Sequence, residues 1–126
     1  MLQDAVPGIV LKNIPTDVAA TDYALTIPQV GKGYTVRRVT CYNATGGSSA
    51  AATLSVRGST GGTGTSVVAD AALVTHTDAT IVSDRTVAAT GVTPIVDDPV
   101  LYIRVGTASG VTGSKIDVVV VIEPLP

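Results

Sequence analysis

The segment KIDVVVVIEP, residues 115 to 124, constrains the fold more than any other part of the chain. In extended backbone the side chains alternate between faces. Ile116, Val118, Val120 and Ile122 therefore point one way, and Asp117, Val119, Val121 and Glu123 the other. Both faces are apolar across the middle. Consecutive β-branched residues favour a strand over a helix, and a strand apolar on both sides requires cover on both. One face is expected to pack against an opposing sheet. The other, through Val119 and Val121, is expected to meet an arm of the chain or another subunit.

The rest of the chain agrees with a sheet protein. Valine and threonine supply 39 of the 126 residues, there is no Phe or Trp, and 13 Gly and 7 Pro fall in clusters that punctuate apolar runs. A chain of this length suits one domain, which buries roughly two-thirds of its unfolded surface. We expect about eight strands and no helix: Gly8 to Ile14, Tyr23 to Ile27, Tyr34 to Asn43, Ala51 to Gly58, Ser66 to Val74, Thr80 to Val87, Val100 to Thr107 and Ser114 to Leu125. Regular strands separated by GKG, ATGGSS, STGGTGT and ASGVTG turns argue for an antiparallel β-sandwich or a barrel. Within YTVRRVTCYN, Tyr34 and Val36 share one phase and Val39 and Cys41 the other, which a β-bulge near Arg37 and Arg38 would reconcile.

Residues 1 to 20 differ from the remainder. DAVPGIVLKNIPTDVAA holds apolar residues between prolines with no tight turn into a partner strand. Proline removes a ladder donor, so this segment is expected to be an N-terminal arm or an edge strand, with the sandwich proper over 21 to 126. Its apolar residues Ile9, Val10, Leu11 and Ile14, together with Val119 and Val121, are the candidates for a subunit or partner interface.

Little of the sequence suggests chemistry. The net charge is −2, which leaves no basic footprint for a phosphate backbone, and stacking aromatics are scarce, so nucleic acid is not an expected partner. No run of about 18 or more apolar residues would span a membrane. The first residues carry an acid where a secretory signal has cations, so synthesis in a reducing interior is expected. Cys41 is the single cysteine and reads as a small buried apolar residue. His76 is the single histidine, so any Ser-His or Cys-His catalytic arrangement must pass through it. Its setting, LVTHTDA, reads as a solvated turn. Asp97 and Asp98 are adjacent carboxylates, but Asp before Pro opens turns, and calcium-loop spacing is missing. STGGTGTS lacks the Lys of a phosphate-binding loop and reads as a flexible hairpin loop. Nothing implies a metal or a cofactor.

Three runs carry a resemblance: GYTVRRVTCYNAT, then AATLSVRGSTGGTGTSVVADAALVTHTDATIVSDRTVAAT, then PVLYIRVGTASGVTGSKIDVVVVI. Over residues 33 to 122 the chain resembles the small jelly-roll head decoration, or cement, proteins of tailed bacteriophages. That resemblance implies a single jelly-roll-like sandwich and a non-enzymatic subunit made in the bacterial host cytoplasm. Such a subunit binds the major capsid protein on the outer surface of the virion, often as a homotrimer. The rival expectation is a carbohydrate-binding β-sandwich of a phage fibre or tail. It lacks its usual aromatic platform, because the chain has 4 Tyr and no Trp. A hydrolase resting on His76 alone has the least support.

Overall fold

The computed structural model describes residues 8–27, 33–88, 95 and 99–125. These contain eight strands and no helix: β1 (Gly8–Pro15), β2 (Thr21–Thr26), β3 (Tyr34–Thr45), β4 (Thr53–Arg57), β5 (Ser66–Ala72), β6 (Val82–Arg85), β7 (Val100–Val105) and β8 (Lys115–Pro124). The first sheet has the order β1-β8-β3-β6 and the second β2-β7-β4-β5. Every ladder is antiparallel. Among these strands, only β4 and β5 are consecutive and paired. Every other connection crosses from one sheet to the other, which gives the double-sheet jelly roll.

The two sheets bury alternate residues against each other. Ile116, Val118, Val120 and Ile122 of β8 face Leu54 and Val56 of β4 and Leu101, Ile103 and Val105 of β7 in one apolar cluster. In β3 the inward phase changes as expected. Val36 pairs with Ile122 and Arg38 with Val121, so Arg37 is the extra residue of a bulge and both Val36 and Val39 reach the core. The segment expected as Thr80 to Val87 shortens to Val82–Arg85. The Thr80 N–H donates to Asp78 Oδ1 (2.8 Å), and this local turn holds the first residues out of the ladder.

Asp117 organises the centre of the first sheet in a way the sequence did not announce. Its neighbours on both sides are bulged: β1 between Leu11 and Ile14, and β3 between Tyr42 and Thr45. Each bulge holds an asparagine in left-handed backbone, Asn13 (φ 57°) and Asn43 (φ 55°). The Asn13 N–H donates to Asp117 Oδ1 (2.8 Å), and Asn43 Nδ2 donates to Oδ2 (3.0 Å). One nearly buried carboxylate thus pins irregularities in two strands; it keeps the outward phase expected beside Val119 but is shielded from solvent there.

At one end of the sandwich, four buried hydroxyls join the loops. Ser49 and Ser114 each lie 2.7 Å from Thr16 Oγ1, and Ser109 lies 2.6 Å from Ser114. Donation in the order Ser49, Thr16, Ser114, Ser109 and finally the Val111 carbonyl gives each proton an acceptor. Such a fully satisfied chain fixes loop positions without leaving a buried polar atom unpaired.

Candidate functional site on the outer face of the first sheet

The outward residues of β8 lie between those of β1 and β3. Val119 pairs with Val10 on one side and Thr40 on the other, and Val121 pairs with Gly8 and Arg38. On the far edge Val82 pairs with Tyr42. Val10 is 43% exposed and Val82 66%, while Val119 and Val121 are half-buried by their in-sheet neighbours. No arm lies over them among the described residues. The face therefore holds a small apolar patch of Val10, Val119 and Val121 beside the exposed Arg38, rimmed by Arg37 paired with Glu123 (3.3 Å) and by Asp84 accepting from Thr40 Oγ1 (2.5 Å).

The outer face of the second sheet is polar and partly covered. Arg104 Nη1 donates to Asp22 Oδ2 at 2.8 Å across the β2–β7 pair. The loop joining β4 and β5 then reaches back over the sheet, where the Gly61 N–H donates to the same oxygen (3.0 Å). Ser55, beside Arg104 in the ladder, is buried. The STGGTGT segment, expected as a free flexible hairpin, is thus tied to the sheet, because a carboxylate opposite it accepts one of its amides.

His76 corrects a second expectation. It is fully buried rather than solvated, because the segment after β5 folds in under β6. There His76 Nε2 lies 2.6 Å from Ser83 Oγ. Burial, reinforced by the nearby Arg85 guanidinium, pushes the imidazole pKa below its ordinary value. The pair has the spacing of a nucleophile and its base. However, Nδ1 has no hydrogen-bond partner among the described residues, so none of their carboxylates orients the ring, and a ring sealed from solvent cannot meet a substrate. Cys41 lies opposite Ser83 in the β3–β6 ladder, fully buried, with its thiol pKa pushed up to about 12 by burial. It is the inert apolar cysteine expected.

The structure divides the six candidate interface residues. Val10, Val119 and Val121 come together on the outer face. Ile14 is fully buried in the core, and Ile9 and Leu11 pack against it opposite Val120 and Val118. Ile14 is corrected to a core position, while Ile9 and Leu11 are half-buried against the core, because the alternation of β1 turns every second side chain inward. Tyr42 and Val82 belong to the outer surface but were not singled out from the sequence. The signal was their shared phase with Thr40 and Asp84 across the β3–β6 pair. Asp97 and Asp98 lie outside the described residues. Among the described residues, no group of three or more His, Cys, Asp or Glu is placed to hold a metal ion, and no helix is long and apolar enough to cross a membrane.

Fold and site together define a double-sheet jelly roll with one apolar outer face and its ionisable interior groups engaged in structure. Comparison with the models of known protein families, with curated proteins and with solved structures gives no match for the chain.

Proposed function

We propose that the chain is a non-enzymatic viral structural subunit, a decoration or cement protein that binds the outer surface of an assembled tailed-phage capsid and stabilises it. The observation that carries this reading is the contrast between the two outer faces. One presents Val10, Val119 and Val121 side by side, with Val82 at its far edge; the other carries the Arg104–Asp22 ion pair and lies partly under its own loop. Apolar surface that a chain does not cover itself is surface available to a partner. The resemblance over residues 33 to 122 names that partner as the major capsid protein and the assembly as a homotrimer.

The mechanism is mass action. A ligand that binds only the assembled lattice stabilises it by its binding free energy, and a trimer engaging several capsid subunits adds avidity without new contacts. The Ser83–His76 pair, sealed from solvent and without an orienting carboxylate among the described residues, supports a non-enzymatic role. Quantitative mass spectrometry of purified particles tests the reading. Copies comparable in number to the major capsid protein are expected, whereas a handful per particle would assign the chain to a tail or fibre.

A further inference from the structure

The two sheets meet along an open seam where the edge strands β5 and β6 pass one another. Three ties close it. Arg85 Nη2 donates to the carbonyls of Ala71 (3.3 Å) and Ala72 (3.0 Å). The Ala88 N–H donates to the Val67 carbonyl (2.8 Å), and His76, just beyond β5, bonds Ser83 of β6. A cleft of about 300 Å³ lined by Val68, Ala71, Arg85 and Ala88 runs beside these ties.

The tautomer of His76 follows from burial. If Ser83 donated its proton to Nε2, the neutral ring would carry N–H at Nδ1, a buried donor with no acceptor among the described residues. With the proton on Nε2, the ring donates to Ser83 Oγ and leaves only a bare lone pair at Nδ1, the cheaper arrangement. A second proton must then sit on Nδ1, unpaired and beside the Arg85 guanidinium.

Among the described residues, no group facing the ring compensates it. From β3 comes Cys41, whose buried thiol stays neutral; from β6 come Ser83 and the cationic Arg85. The residue 49 loop contributes a backbone N–H to the His76 carbonyl, and the end of β5 contributes the Leu73 carbonyl to the His76 N–H. The nearest carboxylates in sequence are engaged elsewhere, Asp78 with Thr80 in the exposed turn and Asp84 with Thr40 on the outer face.

We propose that His76 is an acid-sensitive latch: neutral, it ties the end of β5 to β6, and protonated, it releases the seam and widens the cleft between the sheets. The sign is fixed by the direction of the shift, since the closed state holds the ring below its ordinary value of 6.5. Above that value the closed seam keeps its full advantage. As pH falls below it, opening takes up a proton, and the advantage is lost progressively until the pH reaches the closed-state value. One proton limits the change to about tenfold per pH unit.

Hydrogen exchange on the full chain, read with the NMR titration of the single histidine, tests the latch. The ring is expected to titrate below 6.5. Protection at Ala88 and in β6 should fall by up to about tenfold per pH unit below that value, while Val118 and Val120 in the β3–β8 ladder hold theirs. His76→Gln, whose amide donates to Ser83 but takes up no proton, should show no such pH dependence. Seam protection that stays flat in the wild type from about pH 7 to about pH 5, or that falls equally in H76Q, overturns the proposal. Should H76Q not fold, a wild-type ring titrating at or above 6.5 overturns it alone.

Discussion

Replacing Asp117 separates a pinned pair of bulges from an ordinary buried polar residue. The carboxylate accepts one backbone and one side-chain hydrogen bond, from Asn13 and Asn43, and lies almost entirely out of solvent. A hydrogen bond to a charged group contributes about 1.5–3 kcal/mol, and two together give about 3–6 kcal/mol. Removing the carboxylate also relieves the cost of burying it, so the low end applies, and Asp117→Ala is expected to destabilise the fold by about 3 kcal/mol. Asp117→Asn keeps the volume. Its Oδ1 accepts from the Asn13 N–H, and its amide donates to Asn43 once that side chain turns its oxygen inward, so a loss of about 1 kcal/mol is expected. In urea, with a slope of about 1.5 kcal/mol per molar, the midpoint falls by about 2 M for D117A and by less than about 1 M for D117N. A D117A midpoint within about 0.5 M of wild type, or equal damage from both variants, would refute the reasoning.

Three further perturbations read other parts of the fold. A Cβ at Gly46 (φ 70°) would lie 2.0 Å from the Gly113 carbonyl oxygen, whereas one at Gly61 (φ 74°) meets nothing within 4 Å. Thermal or urea unfolding should therefore show G46A losing about 3 kcal/mol or more and G61A about 1 kcal/mol. The Cys41 thiol, buried and with its pKa near 12, should react with a disulfide reagent about a thousandfold or more slowly in the native chain than in urea. Thr16→Val removes the second member of the hydroxyl chain while keeping its shape, and a loss of about 1–3 kcal/mol is expected in the same unfolding assay.

Features that depend on period and turn chemistry were legible in the sequence. The eight strands, their all-antiparallel sandwich and the bulge at Arg37 follow from alternation that fails in one place and from glycine-rich breaks between apolar runs. The outward set Val119 and Val121 was legible for the same reason. Features that depend on which strands become neighbours were not. Ile14 looked available to a partner because no hairpin marks β8 as the mate of β1, more than one hundred residues away in the ladder Leu11–Val118. His76 looked solvated because the turn it occupies is polar, and only the fold brings Ser83 and Arg85 around it. The burial of Asp117 was hidden because its two asparagine partners lie in different strands, at positions where extra residues interrupt the pairing.

The proposed capsid contact lies on the outer face of the first sheet, at Val10, Val119 and Val121. Its most direct test is co-sedimentation of the purified chain with assembled heads that lack it, comparing wild type with a Val10→Asp, Val119→Asp double variant. Both substituted side chains point away from the core, so the fold should be retained, as far-UV circular dichroism can verify. Wild-type chain is expected to pellet with the heads in saturable amounts and the folded double variant to stay in the supernatant. A folded double variant that binds as well as wild type, or wild-type chain that does not bind, would contradict the account.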